Sequence, residues 1–131
     1  EVFRVEPGTG GFGTGDEVVT SWDTTNYATS PGGLGFDPEN GYLYIVGGPK
    51  NKIFHLKLDA TDTLTVARVI DISVANSTVP AGVTLAPGSL DPGVMNLYVA
   101  DRGVDNNNDP LENDGKVYEF NPTRLSEAMQ R

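Results

Sequence analysis

A loop near the carboxyl end of the chain carries the residue types best suited to chemistry. Five carboxylates lie between positions 101 and 114, and asparagines fill much of the space between them. Like charges this close repel one another unless a cation neutralises them, and calcium accepts six to eight carboxylate, amide and backbone oxygens in a flexible geometry. The loop therefore predicts a calcium site. Its candidate ligands are Asp101, Asp105, Asn107, Asp109, Glu112, Asn113 and Asp114.

The spacing of these ligands is not that of an EF-hand. The segment begins like one at Asp105, but Pro110 stands where the glycine is required and Lys116 occupies the closing acidic position. A different loop geometry is needed, and the expected task of the ion is to stiffen the loop. The alternative is a solvated connection without metal, since long loops are usually either functional or disordered.

Two further motifs could carry chemistry, and neither predicts an active site. Positions 8–13 fit the pattern G-x-G-x-x-G, which binds dinucleotides only when a helix follows. Here Glu17–Trp22 follows, which is rich in β-formers, so the glycines indicate a turn. His55, the single histidine, has no partners in a recognisable catalytic arrangement. No catalytic residue is predicted, and the sequence favours a protein that is not an enzyme.

Composition excludes several classes of partner. The net charge of −9 repels nucleic acid and anionic lipid, while it favours cations. No apolar run approaches the roughly 18 residues that would predict membrane insertion. The chain has no cysteine, so thiol catalysis, disulfides and thiolate metal sites are excluded. An acidic, cysteine-free β protein fits a secreted or periplasmic setting better than a cytosol poor in calcium.

The elements that must position the loop are short strands in a repeating order. Runs of alternating or continuous β-formers are separated by turn residues such as Asn40-Gly41. The runs lie at 1–6, 17–22, 33–36, 42–46, 52–58, 66–72, 82–87, 97–100 and 116–120. Three segments recur, with Gly33, Leu43 and Lys52 answered by Gly82, Leu97 and Lys116, at offsets of 49, 54 and 64 positions.

Repeats of about 40 to 50 residues with four strands each are typical of β-propeller blades. The predicted fold is all-β, with antiparallel four-stranded blades of a β-propeller over residues 1–122, about two and a quarter blades in all. Nine strands cannot close a ring of roughly four to eight blades. We therefore expect a partner, either the remaining blades or another copy of the chain. For the tail, residues 123–131, the sequence allows two alternatives, a short helix or a frayed end.

The stretch GLGFDPENGYLYIV with the following NKIFHLKLD resembles blade segments of the bacterial NHL, YncE-like and phytase-like propellers. The stretch LYVADRGVDNNNDPLENDGKVYEF is similar to a calcium-rich connection of phytase-like propellers from secreted bacterial proteins. The resemblance implies a calcium-stabilised propeller segment that acts as a binding or interaction scaffold. It also implies an alternative, a fragment of a phytase-like calcium-dependent phosphoester hydrolase, in which the ion bridges protein and substrate phosphate.

Overall fold

The fold is all-β, and its strands pair antiparallel throughout the described residues. The computed structural model describes residues 1–105, 107–112 and 114–123. Their strands are β1 (Val2–Glu6), β2 (Val18–Trp22), β3 (Ser30–Asp37), β4 (Tyr42–Gly48), β5 (Lys52–Leu58), β6 (Leu64–Asp71), β7 (Pro80–Pro87), β8 (Met95–Asp101) and β9 (Lys116–Phe120). Each predicted strand is confirmed, with ends that move by a few residues. A short 3-10 helix, Ser73–Ala75, was not predicted.

The strands form three sheets in chain order. The first sheet contains β1 and β2, the middle sheet contains β3, β4, β5 and β6, and the last sheet contains β7, β8 and β9. Every strand within a sheet lies beside the next one in sequence. Between β3 and β4 a tight turn at Asn40 and Gly41 reverses the chain. Gly41 has φ of +69°, which a turn of this kind requires.

The sequence repeat is also a repeat of strand register. In the middle sheet Tyr44 lies opposite His55. In the last sheet Tyr98, 54 positions on, lies opposite Glu119, 64 positions on. The first strands of the middle and last sheets also have a register irregularity at the same point. It lies between Pro31 and Gly33 in β3, and between Pro80 and Gly82 in β7. The two sheets are therefore copies of one local design.

Each face of the middle sheet packs against a neighbouring sheet. One face joins the last sheet through a buried cluster of Tyr44, Val46, Ile53, Ile70, Ile72, Val83, Leu97, Val99 and Phe120. The other face joins the first sheet through Val2, Ala28, Ile45, Phe54 and Leu56. Alternation along β4 sends Val46 to one interface and Ile45 to the other, as the period of two requires.

A clamp of polar contacts fixes the first sheet on the turn between β5 and β6. Both terminal nitrogens of Arg4 donate to the carboxylate of Asp62, at 2.8 and 2.9 Å. The indole nitrogen of Trp22 donates to the carbonyl of Asp62 at 2.7 Å. The guanidinium carbon of Arg4 also lies 5.5 Å from the Trp22 ring centroid. The first sheet is thus anchored over the β5–β6 side of the middle sheet.

Glycines let the first strands of the middle and last sheets approach backbone to backbone. A Cβ built on Gly33 would lie 2.6 Å from the Cα of Gly82, and one built on Gly35 would lie 2.9 Å from the carbonyl oxygen of Val83. Real side chains do not tolerate such distances, so β3 and β7 can meet in this way only if β3 carries glycine here. The GGLG sequence that begins the first repeat is therefore a packing requirement.

The C-terminal tail predicted at 123–131 lies outside the described residues, apart from Thr123. The choice between a short helix and a frayed end is not tested.

Replacing Gly33 by Ala should destabilise the protein, because the new methyl group must displace the β7 backbone. Overpacking of this kind costs about 1–3 kcal/mol. Gly82→Ala is the matched control: Gly82 holds the same repeat position, but its Cβ would meet only the Ala100 Cβ, at an ordinary 3.6 Å. Urea denaturation should show a large loss for Gly33→Ala and little for Gly82→Ala. Equal losses would contradict the packing described.

Candidate functional site

The acidic loop connects β8 to β9 and lies at the end of the last sheet, where Asp101 pairs with Lys116. Of the seven predicted calcium ligands, the structure describes six, and Asn113 lies outside the described residues. The described six fall into two groups. Asp101 is buried at the start of the loop, whereas Asp105, Asn107, Asp109, Glu112 and Asp114 are exposed.

Asp101 organises the chain around it through hydrogen bonds. Its Oδ1 atom accepts from the backbone nitrogens of Val79 and Gly103 at 2.8 and 3.0 Å, and from the Thr78 hydroxyl at 3.0 Å. Its Oδ2 atom accepts from the Thr78 backbone nitrogen at 2.7 Å. The residue is only 1% exposed. The carboxylate therefore ties the approach to β7 to the end of β8.

The protonation of Asp101 follows from the same contacts. Burial acts to raise the pKa of the carboxyl, but the hydrogen bonds from Thr78, Val79 and Gly103 outweigh it and hold the pKa below its ordinary value. In the first repeat the corresponding position is Gly47. The charged acceptor is thus a feature of the second repeat, and it serves the backbone there whether or not an ion is near.

Two of the exposed carboxylates of the loop form local turns. The Asp105 carboxylate accepts from the backbone nitrogen of Asn107 at 2.7 Å, and the Asp109 carboxylate accepts from that of Leu111 at 2.9 Å. Each is a turn in which an Asp side chain bonds the backbone two residues on. Asn107 has φ of +61°, a conformation that asparagine tolerates better than most residues.

The described loop carboxylates do not form a ready-made metal site. Among the residues that the structure describes, no three Asp, Glu or His side chains lie close enough together to hold a metal ion. The ligand chemistry suits calcium, since a carboxylate has two oxygens and can accept several interactions at once. A calcium ion would therefore have to draw the loop into a new arrangement.

Replacing Asp101 by Asn should destabilise the fold equally with calcium and with chelator. Whichever way the new amide is turned, its NH2 group faces at least one backbone donor that needs an acceptor. Hydrogen bonds to a charged group contribute about 1.5–3 kcal/mol. Asp105→Asn is the matched control on the exposed loop and should change stability by less than about 0.5 kcal/mol in chelator. Denaturation in chelator measures both. A harmless Asp101→Asn would contradict the role assigned to this carboxylate.

His55 is held between two tyrosines on the face of the middle sheet that meets the last sheet. Its ring stacks on Tyr44, with centroids 4.7 Å apart, and meets the edge of Tyr42 at 4.3 Å. Burial, with a smaller contribution from Arg68, lowers the pKa of His55, while Asp37 opposes the shift. His55 is thus a half-buried strand residue packed between two aromatic rings.

The lowered pKa makes stability depend on pH. When pH falls through about 6.5, histidine takes up a proton in the unfolded chain before it does so in the folded one, so the folded state loses stability. Stability should therefore be full above pH 7 and decline until the pH passes the lower, folded-state pKa. His55→Phe keeps an aromatic ring between the tyrosines and should flatten this slope between pH 7.5 and 5.5. Urea midpoints that fall equally in both proteins would contradict it.

The glycine-rich segment at 8–13 forms a turn, as predicted. Its backbone donors bind the chain's own carboxylate: Glu17 accepts from the backbone nitrogens of Gly13, Thr14 and Gly15, the last two at 3.0 Å. The bond from its own backbone nitrogen, followed by those from Gly13 and Thr14, lowers the pKa of Glu17. A β-strand follows, as expected. The donors that would face a pyrophosphate are therefore already used.

Two polar features escaped prediction because their parts are distant in sequence. Glu119 accepts hydrogen bonds from the Ser89 hydroxyl and from Asn96, which bring its pKa to about 2. Lys50 and Arg102 line one cleft of about 420 Å³ between the ends of the middle and last sheets, with several glycines in its wall. The only signal in the sequence for the Glu119 contacts or for this cleft is the abundance of turn residues nearby.

Searches against protein-family models, curated proteins and solved structures found no match for this chain. In the part of the chain that the structure describes, no helix is long and apolar enough to cross a bilayer.

Proposed function

We propose that this chain is part of a β-propeller that serves as a binding or interaction scaffold, and that calcium stiffens its loop between β8 and β9. The observation that carries the proposal is the stacking of sheets that share strand order, register and bulge position. Blades of a propeller repeat in this way around an axis lined by their first strands. In such a ring the first strands of neighbouring blades come close together around the axis, and the backbone contact of β3 with β7 agrees with that arrangement.

The ends of the stack support the expectation of a partner. On the outer face of the first sheet, Phe3, Val5 and Val19 are about half exposed or more. On the outer face of the last sheet, Val117 is exposed as well. Apolar side chains gathered on a sheet face mark an interaction surface. The proposed partners are the remaining blades or another copy of the chain, in a secreted or periplasmic protein.

The charge of the loop supports calcium as the stabilising ion. Asp105, Asp109, Glu112 and Asp114 are exposed. The only basic residues near them along the chain are Arg102 and Lys116, at the two ends of the loop. Calcium would relieve the repulsion among the four carboxylates and would accept their oxygens as ligands. Asp101 contributes by fixing where the loop starts, whether or not it is itself a ligand.

Calcium should raise the melting temperature, because an ion that binds only the folded state stabilises it by mass action. At a concentration about 100 times its Kd the gain is about 2.7 kcal/mol, or on the order of 10 °C for a chain of this size. Replacing Asp109 by Asn and Glu112 by Gln together should abolish the shift. Scanning calorimetry with calcium, magnesium and chelator measures it.

The matched control for this experiment is Asp91→Asn. Asp91 also accepts a hydrogen bond from the backbone two residues on, at 3.1 Å from Gly93, but it lies in the β7–β8 turn. Its variant should keep the full calcium response. A melting temperature that does not respond to calcium in the unmodified protein would remove the calcium part of the proposal.

A second candidate is a fragment of a calcium-dependent phosphoester hydrolase of the phytase-like kind. The observation in its favour is the cleft that Lys50 and Arg102 share, since two cations beside an acidic loop could receive a phosphate. A scaffold predicts no turnover of phosphomonoesters at any calcium concentration. Turnover that Lys50→Ala or Arg102→Ala removes would favour the hydrolase.

A further inference from the structure

Two pairs of equivalent side chains differ sharply in exposure. Leu34 and Phe36 in β3 correspond to Val83 and Leu85 in β7, 49 positions on, with matching cross-strand partners. Val83 is 7% exposed, and Leu85 is partly buried against the same cluster. Leu34 and Phe36 are 49% and 58% exposed. Equivalent positions of the repeat are therefore covered in β7 of the last sheet and exposed in β3 of the middle sheet.

The covering of β7 comes from β3 and β4. Tyr44 and Val46 of β4 belong to the cluster that buries Val83. Gly33 brings the backbone of β3 against that of β7. Together, the first two strands of the middle sheet cover the first strand of the last sheet.

No described strands do the same for β3. The first sheet lies over the later strands of the middle sheet, because Arg4 and Trp22 hold it to Asp62 in the β5–β6 turn. The strand β1 pairs with β2 on one side, and its other edge has no partner strand among the described residues. The place where two preceding strands would cover β3 is beside that edge.

An apolar cleft of about 360 Å³ fills this place. Its lining includes Phe3 of β1, both exposed side chains of β3, and three residues of the packed interface between the first and middle sheets. Those three are Val2, Trp22 and Leu43. The cleft is thus a continuation of an interface that the chain already forms, and not an isolated surface patch.

We propose that this cleft binds an antiparallel β-hairpin, one strand of which pairs with the free edge of β1 while the other lies over Leu34 and Phe36. The occupant resembles β3–β4 in chemistry. It carries glycine where its backbone meets β3, and large apolar side chains at the positions equivalent to Tyr44 and Val46. Binding extends the first sheet to four strands. The inference rests on the proposed propeller scaffold and names the surface and the kind of partner.

A fusion protein tests the proposal on the whole chain. A copy of residues 29–51 is joined to Glu1, so that β3, β4 and the turn that leads into β5 are used again before β1. Intramolecular attachment supplies a high effective concentration for a hairpin that would be marginal alone. Trp22 is the only tryptophan and lines the cleft, so its emission reports occupancy.

The fusion should move the Trp22 emission to shorter wavelength and raise the melting temperature by several degrees. Replacing Tyr44 and Val46 by Asp within the added copy alone should remove both effects, while the host chain stays unmodified. Phe36→Ser in the host should weaken them, and Leu90→Asp, at a fully exposed residue of the β7–β8 turn, should not.

Three results would overturn the proposal: unchanged Trp22 emission in the fusion, equal effects from the copy with the two Asp substitutions, or an unfused chain whose Trp22 emission shifts with protein concentration. The last would mean that a second copy fills the cleft. Calcium titration of the unfused chain does not involve this cleft. A failed fusion with an intact calcium response therefore rejects the hairpin and leaves the proposed function standing.

Discussion

The approach of two backbones, β3 and β7, determines how the sheets of this protein stack. Strands that touch at Gly33 and Gly82 leave no room for a side chain between them, so the first strands of the two sheets come closest. Away from that contact the sheets are filled by large side chains such as Tyr44, Leu97 and Phe120. The stack is therefore tight at one edge and filled elsewhere by aromatic and aliphatic side chains.

The second repeat departs from the first in its polar chemistry. Where the first has Gly47, the second has Asp101, whose carboxylate binds Thr78, Val79 and Gly103. The long acidic loop thus begins from a fixed point, and its other described carboxylates lie exposed beyond it. This division separates a structural carboxylate from those that calcium would recruit. It also explains why one loop can be exposed and strongly charged without weakening the sheet that carries it.

The strands were predictable because their signals are local. Alternation along β1 and the Asn40-Gly41 turn need only neighbouring residues, and the recurrence of Leu43 as Leu97 needs only a comparison of two segments. The role of Gly33 was not predictable, since no local pattern tells which backbone lies across from it. Asp101 was grouped with the loop for the same reason: its donors at Thr78 and Val79 lie 23 and 22 positions earlier.

The central claim is that β3 and β7 lie in direct backbone contact, with the sheets stacked around it. Nuclear Overhauser spectra of the isotope-labelled protein test this contact without altering a residue. Direct contact of the two backbones requires strong cross-peaks between the α-protons of Gly33 and Gly82, and between those of Gly35 and Thr84. If the α-protons of β3 show cross-peaks only to β4, the two sheets do not stack as described and the account is wrong.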